Sequence, residues 1–270
     1  MPALPSLKEQ DTNPFELFFQ DPIYLEFKNH LYNYHRRKEE IRCVLKDREE
    51  GGMVLEIGSG VSPIAEGSRE VIFSDLSKEA MRYLTKRGLA ERALAMSASE
   101  IAFKDESVSA IVCSEVLEHI KEDEKALAEM ARVLKPGGTL VVTVPVHSYY
   151  FAWDDDFVKH QRRYSLTALT FELEKLGFKD FKISKVTGFL DKITMIVAVT
   201  LFNVLGPWLK KHQKTSANVP AQHPWLKAIL PAYKAINKLY SYVVKWEAKI
   251  MPFFVTTIVL ISCKKLSSKR

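Results

Sequence analysis

The chain has 270 residues, of which 47% are hydrophobic and 27% charged, and its formal net charge is +6. This balance is typical of a globular protein and excludes a disordered or collagen-like chain. Its three cysteines, Cys43, Cys113 and Cys263, form no CxxC or Cys/His cluster, so we predict neither a disulfide framework nor a metal site. The first residues lack a basic start followed by an apolar run, so we expect no secretory signal and a cytoplasmic location.

The first segment predicts a helical cap. Residues 14–46 are rich in aromatic side chains and end in a charged run, which indicates one or two helices. We interpret residues 1–50 as this cap. It either packs on the next domain as core or serves as a lid over a substrate.

From Gly52 onward, short apolar runs alternate with helical segments. The apolar runs lie at residues 53–57, 71–75, 110–115, 139–145, 181–188 and 256–265, and the helical segments at 76–89, 122–138 and 166–178. Strands that alternate with helices of this length predict a doubly wound α/β fold with a mostly parallel sheet. The alternation stops at residues 190–252, which predict a helical insertion before the last strand. The core then comprises residues 51–189, and residues 253–270 supply the last strand and a basic tail.

A glycine turn follows the first strand. Gly58 and Gly60 permit a tight turn and close backbone approach to a ligand at the carboxyl end of that strand. Asp75 ends the next strand, 17 residues after Gly58, where a carboxylate can accept both hydroxyls of a ribose or cap the following helix. Pro63 occupies the third glycine position of a dinucleotide fingerprint. The pattern therefore favours a nucleoside ligand without phosphates over NAD.

Four motifs follow one another in order. They are E-I-G-S-G at 56–60, D-L-S at 75–77, C-S-E-V-L-E-H-I at 113–120 and L-K-P-G-G-T-L at 134–140. Over residues 50–188 the chain resembles the class I S-adenosylmethionine (SAM)-dependent methyltransferases, especially the branch of ubiquinone- and menaquinone-type methyltransferases. The resemblance implies a Rossmann-like, mostly parallel seven-stranded sheet, SAM as the cofactor and methyl transfer as the activity.

The resemblance also implies ten cofactor-binding residues. These are Glu56, Gly58, Ser59 and Gly60 at the methionine end, Asp75 at the ribose, Leu76 at the adenine, Ser97 and Ala98 at the adenine amino group, and Ser114 and Glu115 near the sulfonium. Most relatives carry an Asp at the position of Ser97. In this chain the backbone N–H of Ala98 remains as a donor to the ring.

Candidate bases lie at two places. His119 and His147 each follow a strand tip, where ligands bind in such sheets, and an oxygen or nitrogen acceptor can need a general base. The segment 153–165 matches a pattern of the relatives, an Asp followed by His-x-Arg-Arg-Tyr. It is either a loop whose arginines pair with its own carboxylates, or a substrate-side wall in which His160 or Tyr164 orients the acceptor and an arginine binds an anionic group.

The insertion has an apolar half and a basic half. Residues 193–209 carry no charge, and residues 191–250 contain nine lysines against two acids. Five lysines are spaced to form one stripe on a helix, with an apolar stripe opposite, at Lys227, Lys234, Lys238, Lys245 and Lys249 against Ile236, Leu239, Val243, Trp246 and Ile250. The apolar stripe either packs on the protein or contacts a membrane surface; nucleic-acid binding ranks last.

These observations lead to one hypothesis and two alternatives. We expect a SAM-dependent methyltransferase that O-methylates a hydrophobic or lipid-linked small molecule, with residues 190–250 as a peripheral contact to the inner membrane face. One alternative is a soluble small-molecule methyltransferase whose insertion is a lid or a dimer contact. The other is a non-catalytic module that binds SAM or docks a partner.

Overall fold

The computed structural model describes residues 27–46, 52–65, 70–212 and 224–267. Within these ranges one sheet contains seven strands: β1 (Val54–Ile57), β2 (Val71–Asp75), β3 (Ala93–Ala95), β4 (Val108–Ser114), β5 (Leu134–Pro145), β6 (Phe178–Thr187) and β7 (Ile258–Lys265). Their order across the sheet is β3-β2-β1-β4-β5-β7-β6. Strands β1 to β5 pair in parallel, and β7 runs antiparallel between β5 and β6. The predicted Rossmann-like α/β sheet is confirmed.

Seven α-helices are described in the same ranges. They are α1 (Tyr32–Lys46), α2 (Lys78–Lys86), α3 (Asp123–Val133), α4 (Trp153–Phe157), α5 (Leu166–Lys175), α6 (Phe189–His212) and α7 (Pro224–Ile250). Short 3₁₀ turns span Leu117–His119, Ser148–Tyr150 and Phe253–Val255. The long helices α6 and α7 lie between β6 and β7, where the helical insertion was predicted.

The core lies on both faces of the central strands. Alternate residues of β1 enter different apolar clusters: Leu55 packs with Ile111 of β4 on one face, and Val54 packs with Val112 on the other. Burial on both faces explains why these strands have continuous apolar sequences. Because β1 to β5 are parallel, their carboxyl ends meet at one edge of the sheet.

Several boundaries differ from the sequence prediction, and one strand was not predicted. Strand β5 begins at Leu134 rather than 139, because Leu134 pairs in parallel with Val108, and the helix predicted over 122–138 ends at Val133. The edge strand β3 was not predicted from an apolar run. Its side chains are mostly solvent-exposed, so it lacks the pattern of a buried strand.

Helix α7 packs on the protein through a face that the sequence did not single out. The buried positions are Asn237, Ser241, Val244, Glu247 and Ala248. Helix α1 contacts this face: the Tyr32 amide donates to the Asn237 side chain over 3.1 Å, and the Tyr32 and Tyr240 rings pack edge to face at 4.8 Å.

The predicted apolar stripe of α7 therefore points into solvent. Ile236 is 65% exposed, Leu239 68% and Trp246 65%. The interpretation in which this stripe packs on the protein is wrong, because the polar face beside it makes the contact with α1. The lysine stripe also differs from the prediction, because one of its members, Lys245, forms an ion pair with Glu39 of α1.

Helix α6 carries the uncharged run at 193–209. Ile193, Val197 and Val204 are exposed. Within the described ranges, no helix combines the length and the hydropathy that a membrane crossing needs. At its first turn, α6 is anchored by the buried residues Asp191 and Lys192.

Candidate active site

Two glycines, Gly58 and Gly60, determine the conformation of the loop after β1. Gly58 has φ +71°, and a Cβ atom built on it would lie 2.2 Å from a methyl group of Val116. Gly60 also has a positive φ, +53°. Only glycine adopts this backbone at low cost, and only glycine leaves room for Val116, so the loop can turn tightly across the strand tip.

The amides of this loop are turned towards two buried carboxylates of the protein. Those of Ile64 and Ala65 donate to Glu56 over 3.0 and 2.7 Å, and that of Gly60 donates to Asp75 over 2.9 Å. A phosphate group would need such amides for itself. The loop therefore fits a ligand without phosphates, and Glu56 has the additional task of holding the loop in place.

Asp75 stands at the tip of β2. Its Oδ1 accepts the Ser77 amide over 2.8 Å, and Ser77 in turn caps α2. A carboxylate has about four acceptor positions, so the amides of Gly60 and Ser77 do not by themselves occupy all of those on Asp75. The neighbouring Leu76 is 41% exposed and offers an apolar surface for an aromatic base.

The loop that contains Ser97 and Ala98 is clamped from behind. Glu129 accepts the Ile101 amide over 2.9 Å, while Arg132 donates to the carbonyls of Ile101 and Phe103, each over 2.9 Å. The Ser97 hydroxyl accepts the amide of Ser99 over 3.2 Å and so shapes its own turn. This clamp was not predicted from the sequence; both of its side chains lie on α3.

Ser114 and Glu115 stand at the tip of β4. The Ser114 hydroxyl lies 2.8 Å from the Thr143 hydroxyl and accepts Arg37 of α1 over 3.2 Å. Thr143 also donates to Glu115 over 3.3 Å, and Glu115 has φ +55°. These contacts fix the direction in which Glu115 leaves the strand.

A polar cluster lies just beyond β4 and unites two of the predicted bases. The Gln161 amide donates to the Glu118 carbonyl over 2.7 Å, which joins the segment around 160 to the turn at 117–119. The rings of His119 and His160 lie 4.9 Å apart, and His160 Nε2 is 3.9 Å from Glu118 Oε1. We call Glu118, His119 and His160 the Glu–His–His cluster.

Glu118 is the unusual member of this cluster. Its side chain is fully buried, and neither carboxylate oxygen has a hydrogen-bond partner among the described residues. Burial, with the nearby charge of Glu115, holds the pKa of Glu118 well above its usual range. Burial also lowers the pKa of His119 to about 4, so this imidazole is neutral at neutral pH. Glu118 was not predicted from the sequence as a site residue.

Asp155 supports the cluster from behind. It accepts His160 Nδ1 over 2.7 Å, Arg163 Nε over 2.8 Å and Lys192 Nζ over 2.9 Å. Burial alone would raise the pKa of Asp155, but the hydrogen bond from His160 and the charge of Arg163 hold it well below its usual range. Asp155 is therefore an anion that fixes the orientation of His160.

The other predicted bases lie elsewhere. Tyr164 is buried, and its hydroxyl donates to Asp123 over 2.6 Å, which indicates a structural role. Arg162 also pairs with Asp123. Arg163 pairs with Asp155 of the same segment, as the interpretation of 153–165 as a self-paired loop expects, whereas Arg162 and Tyr164 bind Asp123 of α3.

His147 contacts a different part of the chain. Its Nε2 lies 3.1 Å from the carbonyl of Phe253, and its ring stacks on Tyr149 at 5.0 Å. The described contacts thus place His147 at the junction with the segment before β7. Of the four predicted catalytic residues, the structure brings together His119 and His160.

Comparison with known proteins is consistent with this geometry. Residues 55–142 match the family model described as "Methyltransferase domain". A protein of Mycobacterium tuberculosis named "Probable S-adenosylmethionine-dependent methyltransferase" is 29% identical over 156 residues, which cover 57% of this chain and 56% of that protein. The demethylmenaquinone methyltransferase of Renibacterium salmoninarum is 35% identical over 96 residues, 34% of this chain and 40% of the relative. The chain thus spans about half the length of these relatives.

Solved structures show the same fold. The crystal structure of a SAM-dependent methyltransferase from Thermotoga maritima aligns with a TM-score of 0.59 at 20% identity, covering 93% of this chain and 97% of the other. The alignment therefore extends beyond the matched segment 55–142 to nearly all of this chain.

Proposed function

We propose that this chain is a SAM-dependent methyltransferase, as its matches to such proteins indicate, and that it transfers a methyl group to an oxygen of a hydrophobic or lipid-linked small molecule at a membrane surface. Bound SAM would supply a methyl group on a positively charged sulfur. The strand-tip edge described above would hold it, with the loop of Gly58 and Gly60 at one end and Asp75 beside Leu76 at the other.

The acceptor side of this edge is polar. Past Ser114 and Glu115, the chain turns directly into the Glu–His–His cluster, which offers a buried carboxylate and imidazole nitrogens. Such groups can bind a hydroxyl group and assist the loss of its proton, which an oxygen acceptor needs before it attacks a methyl group. This chemistry supports O-methylation.

The observation that carries the membrane part of the proposal is the exposed apolar stripe of α7. Large side chains on this stripe are more than half exposed, and Lys234 and Lys238 project from the adjacent face. Contiguous exposed apolar surface marks an interaction site. A helix with an aromatic-bearing apolar stripe beside lysines is suited to an anionic lipid surface.

The insertion also begins at the edge of the sheet where the acceptor would bind. Strand β6 ends at Thr187, α6 begins at Phe189, and Lys192 on its first turn pairs with Asp154 and Asp155. The exposed rings of Phe253 and Phe254 precede β7 on the return from the insertion. An amphiphilic acceptor could therefore keep its apolar part at the lipid surface while its polar end reaches the cluster.

The activity is tested with tritium-labelled SAM and a host-cell lysate that contains membranes. After incubation, counts are separated into lipid, aqueous and macromolecular fractions. We expect counts in the lipid fraction that are base-stable, as an ether is and an ester is not. Counts confined to the aqueous or macromolecular fraction would contradict the proposed acceptor, and an absence of transfer with retained SAM binding would favour the non-catalytic alternative.

The membrane contact is tested by flotation with anionic vesicles. Replacing Lys234, Lys238 and Lys249 together by Gln should weaken binding on the order of 100-fold, since each lysine near an anionic surface contributes about 1 kcal/mol. The matched control replaces Lys78, Lys86 and Lys104, three exposed lysines outside the insertion, by Gln and should bind as the wild type does. Equal loss in both variants would indicate a nonspecific charge effect.

A second candidate function uses the same exposed stripe. Ile236, Leu239 and Trp246 could instead contact a second copy of the chain, in a soluble small-molecule methyltransferase whose insertion is a dimer contact. Sedimentation velocity distinguishes the two. A dimer that dissociates on Trp246→Gln, together with no vesicle binding by the wild type, would favour this alternative.

A further inference from the structure

Both histidines of the cluster have their Nδ1 atoms next to groups that only accept hydrogen bonds. His160 Nδ1 lies 2.7 Å from a carboxylate oxygen of Asp155, and His119 Nδ1 lies 3.2 Å from the carbonyl oxygen of Lys159. Each Nδ1 must therefore carry the proton. In a neutral imidazole, the lone pair is then on Nε2. The two rings are thus held in the tautomer that can bind a metal ion.

Glu118 completes a set of three ligands. Its buried carboxylate has no hydrogen-bond partner among the described residues, and an isolated buried carboxylate is costly unless a proton or a cation compensates it. One ligand atom from each of Glu118, His119 and His160 lies within 4.8 Å of the other two. The distance of 3.9 Å between His160 Nε2 and Glu118 Oε1 is already within the span of two bonds of about 2.1 Å to a shared ion.

We propose that the Glu–His–His cluster binds a divalent transition-metal ion such as Zn²⁺. Two imidazole nitrogens and one carboxylate oxygen suit zinc and its first-row neighbours, whereas Mg²⁺ and Ca²⁺ prefer oxygen ligands. Three protein ligands leave a position open for an exogenous oxygen. A metal site was not predicted from the sequence, because His119 and His160 are 41 residues apart and no cysteine lies among the ligands.

The surroundings of the cluster match those of metal-binding histidines. Such histidines donate their second N–H to a carboxylate or a carbonyl, as His160 and His119 do. Asp155, the partner of His160, is itself held by Arg163 and Lys192. The orientation of His160 is therefore set by a network that reaches from α4 to α6.

The role that we infer for this ion rests on the proposed function. It would bind the acceptor hydroxyl at the open position and lower the pKa of that hydroxyl, so that its proton leaves to water. The oxygen then forms a bond to the methyl carbon as the bond from that carbon to sulfur breaks. The products are a methyl ether, a neutral thioether and one proton.

The test measures metal binding on the full chain, without any acceptor. The metal-stripped protein is titrated with Zn²⁺ by calorimetry and with Co²⁺ by visible absorption, which reports the ligand environment. We expect one ion per chain for both, no saturable binding of Mg²⁺, and affinity more than 100-fold weaker in Glu118→Gln and in His160→Gln. Asp155→Asn should weaken binding about 10–100-fold.

The control variant is His35→Gln, which removes an imidazole on α1 that is not part of the cluster. It should bind Zn²⁺ and Co²⁺ as the wild type does. Far-UV circular dichroism and the melting temperature verify that each variant is folded. If His160→Gln does not fold, Glu118→Gln provides the test, because this substitution removes only the charge of a buried carboxylate. Unchanged metal affinity in folded Glu118→Gln would overturn the proposal.

This outcome is separable from that of the proposed function. Methyl transfer into lipid that is unaffected by a chelator, with no metal bound at the cluster, would overturn the metal site and leave the activity standing. Stoichiometric metal binding at the cluster, without transfer to any acceptor, would leave the site standing and overturn the proposed activity.

Discussion

At the scale of single residues, the cofactor end of the cleft depends on positions that perform two tasks. Asp75, which we predict to accept a ribose, also holds the amides of Gly60 and Ser77. Gly58 permits a left-handed turn and also leaves room for Val116, which lies between the loop and the β4 tip. Substitutions at such positions change both the geometry of the loop and its affinity for a ligand.

Gly58→Ala should be costly for two separable reasons. The left-handed backbone costs roughly 1–2 kcal/mol for a non-glycine residue, and the new Cβ would lie 2.2 Å from Val116. Gly88→Ala is the control, because Gly88 also has a positive φ, +65°, but no atom lies within 4 Å of its Cβ position. Chemical denaturation should show a larger loss in Gly58→Ala. Equal losses would mean that Val116 moves aside freely.

Asp75→Asn should weaken SAM binding by about 1.5–3 kcal/mol, because a charged acceptor contributes more to a hydrogen bond than a neutral one does. Calorimetry with the purified chain measures this directly. Asp180→Asn, at an exposed position on β6, serves as the control. Wild-type affinity in Asp75→Asn would refute the assignment of Asp75 to the ribose.

Residue types and spacing were sufficient to predict the strand-tip acid and the glycine turn, since both follow from local rules of parallel strands. The pairing of His119 with His160 was not predictable in this way. It depends on the backbone bond from Gln161 to Glu118, which forms only when the segment after β5 folds back over the β4 tip. The buried state of Glu118 has the same origin.

At the scale of elements, α3 and the loop after β3 form one unit through Glu129 and Arg132. The hydrogen bond from Arg132 lowers the pKa of Glu129 below its usual value. Glu129 also accepts the Ile101 amide, so its charge supports the loop that carries Ser97 and Ala98.

Glu129→Gln should therefore reduce stability in a pH-dependent manner. A carboxylate whose pKa is lowered on folding stabilises the protein above its unfolded pKa of about 4.3, and the contribution is lost as the pH falls through the folded value. The difference in unfolding free energy between wild type and variant should be constant from pH 6 to 8 and shrink below about pH 4. Glu172→Gln, which removes an exposed partner of Lys175, is the control. A difference that does not shrink as the pH falls below about 4 would contradict this account.

The helices of the insertion were predictable as helices, but the orientation of α7 was not. Its sequence forms three stripes along the helix: one of lysines, one of large apolar residues, and one of mixed residues that includes Asn237 and Glu247. Burial of the apolar stripe is the ordinary expectation. The mixed stripe is buried instead because Asn237 and Glu247 find specific partners in Tyr32 and Leu190. Those partners come from α1 and α6, so pairing across the chain decides the outcome.

At the scale of the whole molecule, the insertion is joined to the cleft through a buried ion pair. Lys192 of α6 donates to Asp154 and Asp155 of α4 over 2.7 to 2.9 Å. Removing one partner of a buried pair leaves the other charge uncompensated. A displacement of α6 would therefore change the contacts of Asp155 and, through Asp155, the orientation of His160.

Lys192→Met should lower the unfolding free energy by about 3–5 kcal/mol. The matched change Lys175→Met breaks an exposed pair with Glu172 and should cost less than about 1 kcal/mol. Urea denaturation of both variants gives the comparison. Similar costs would show that the link between α4 and α6 is not energetically important.

The position of β7 has a consequence for the order of assembly. Strand β6 is parallel to β5 but does not touch it, because β7, which follows the insertion, lies between them. During synthesis, a nascent chain that has emerged only as far as α7 carries two unpaired strand edges on either side of a gap. Such edges readily pair with other chains. The gap in the sheet closes only when β7 pairs with β5 and β6. The pairing with β5 joins segments far apart in sequence, and such contacts form slowly. Chaperones that shield strand edges should therefore increase the yield of folded protein most during this interval.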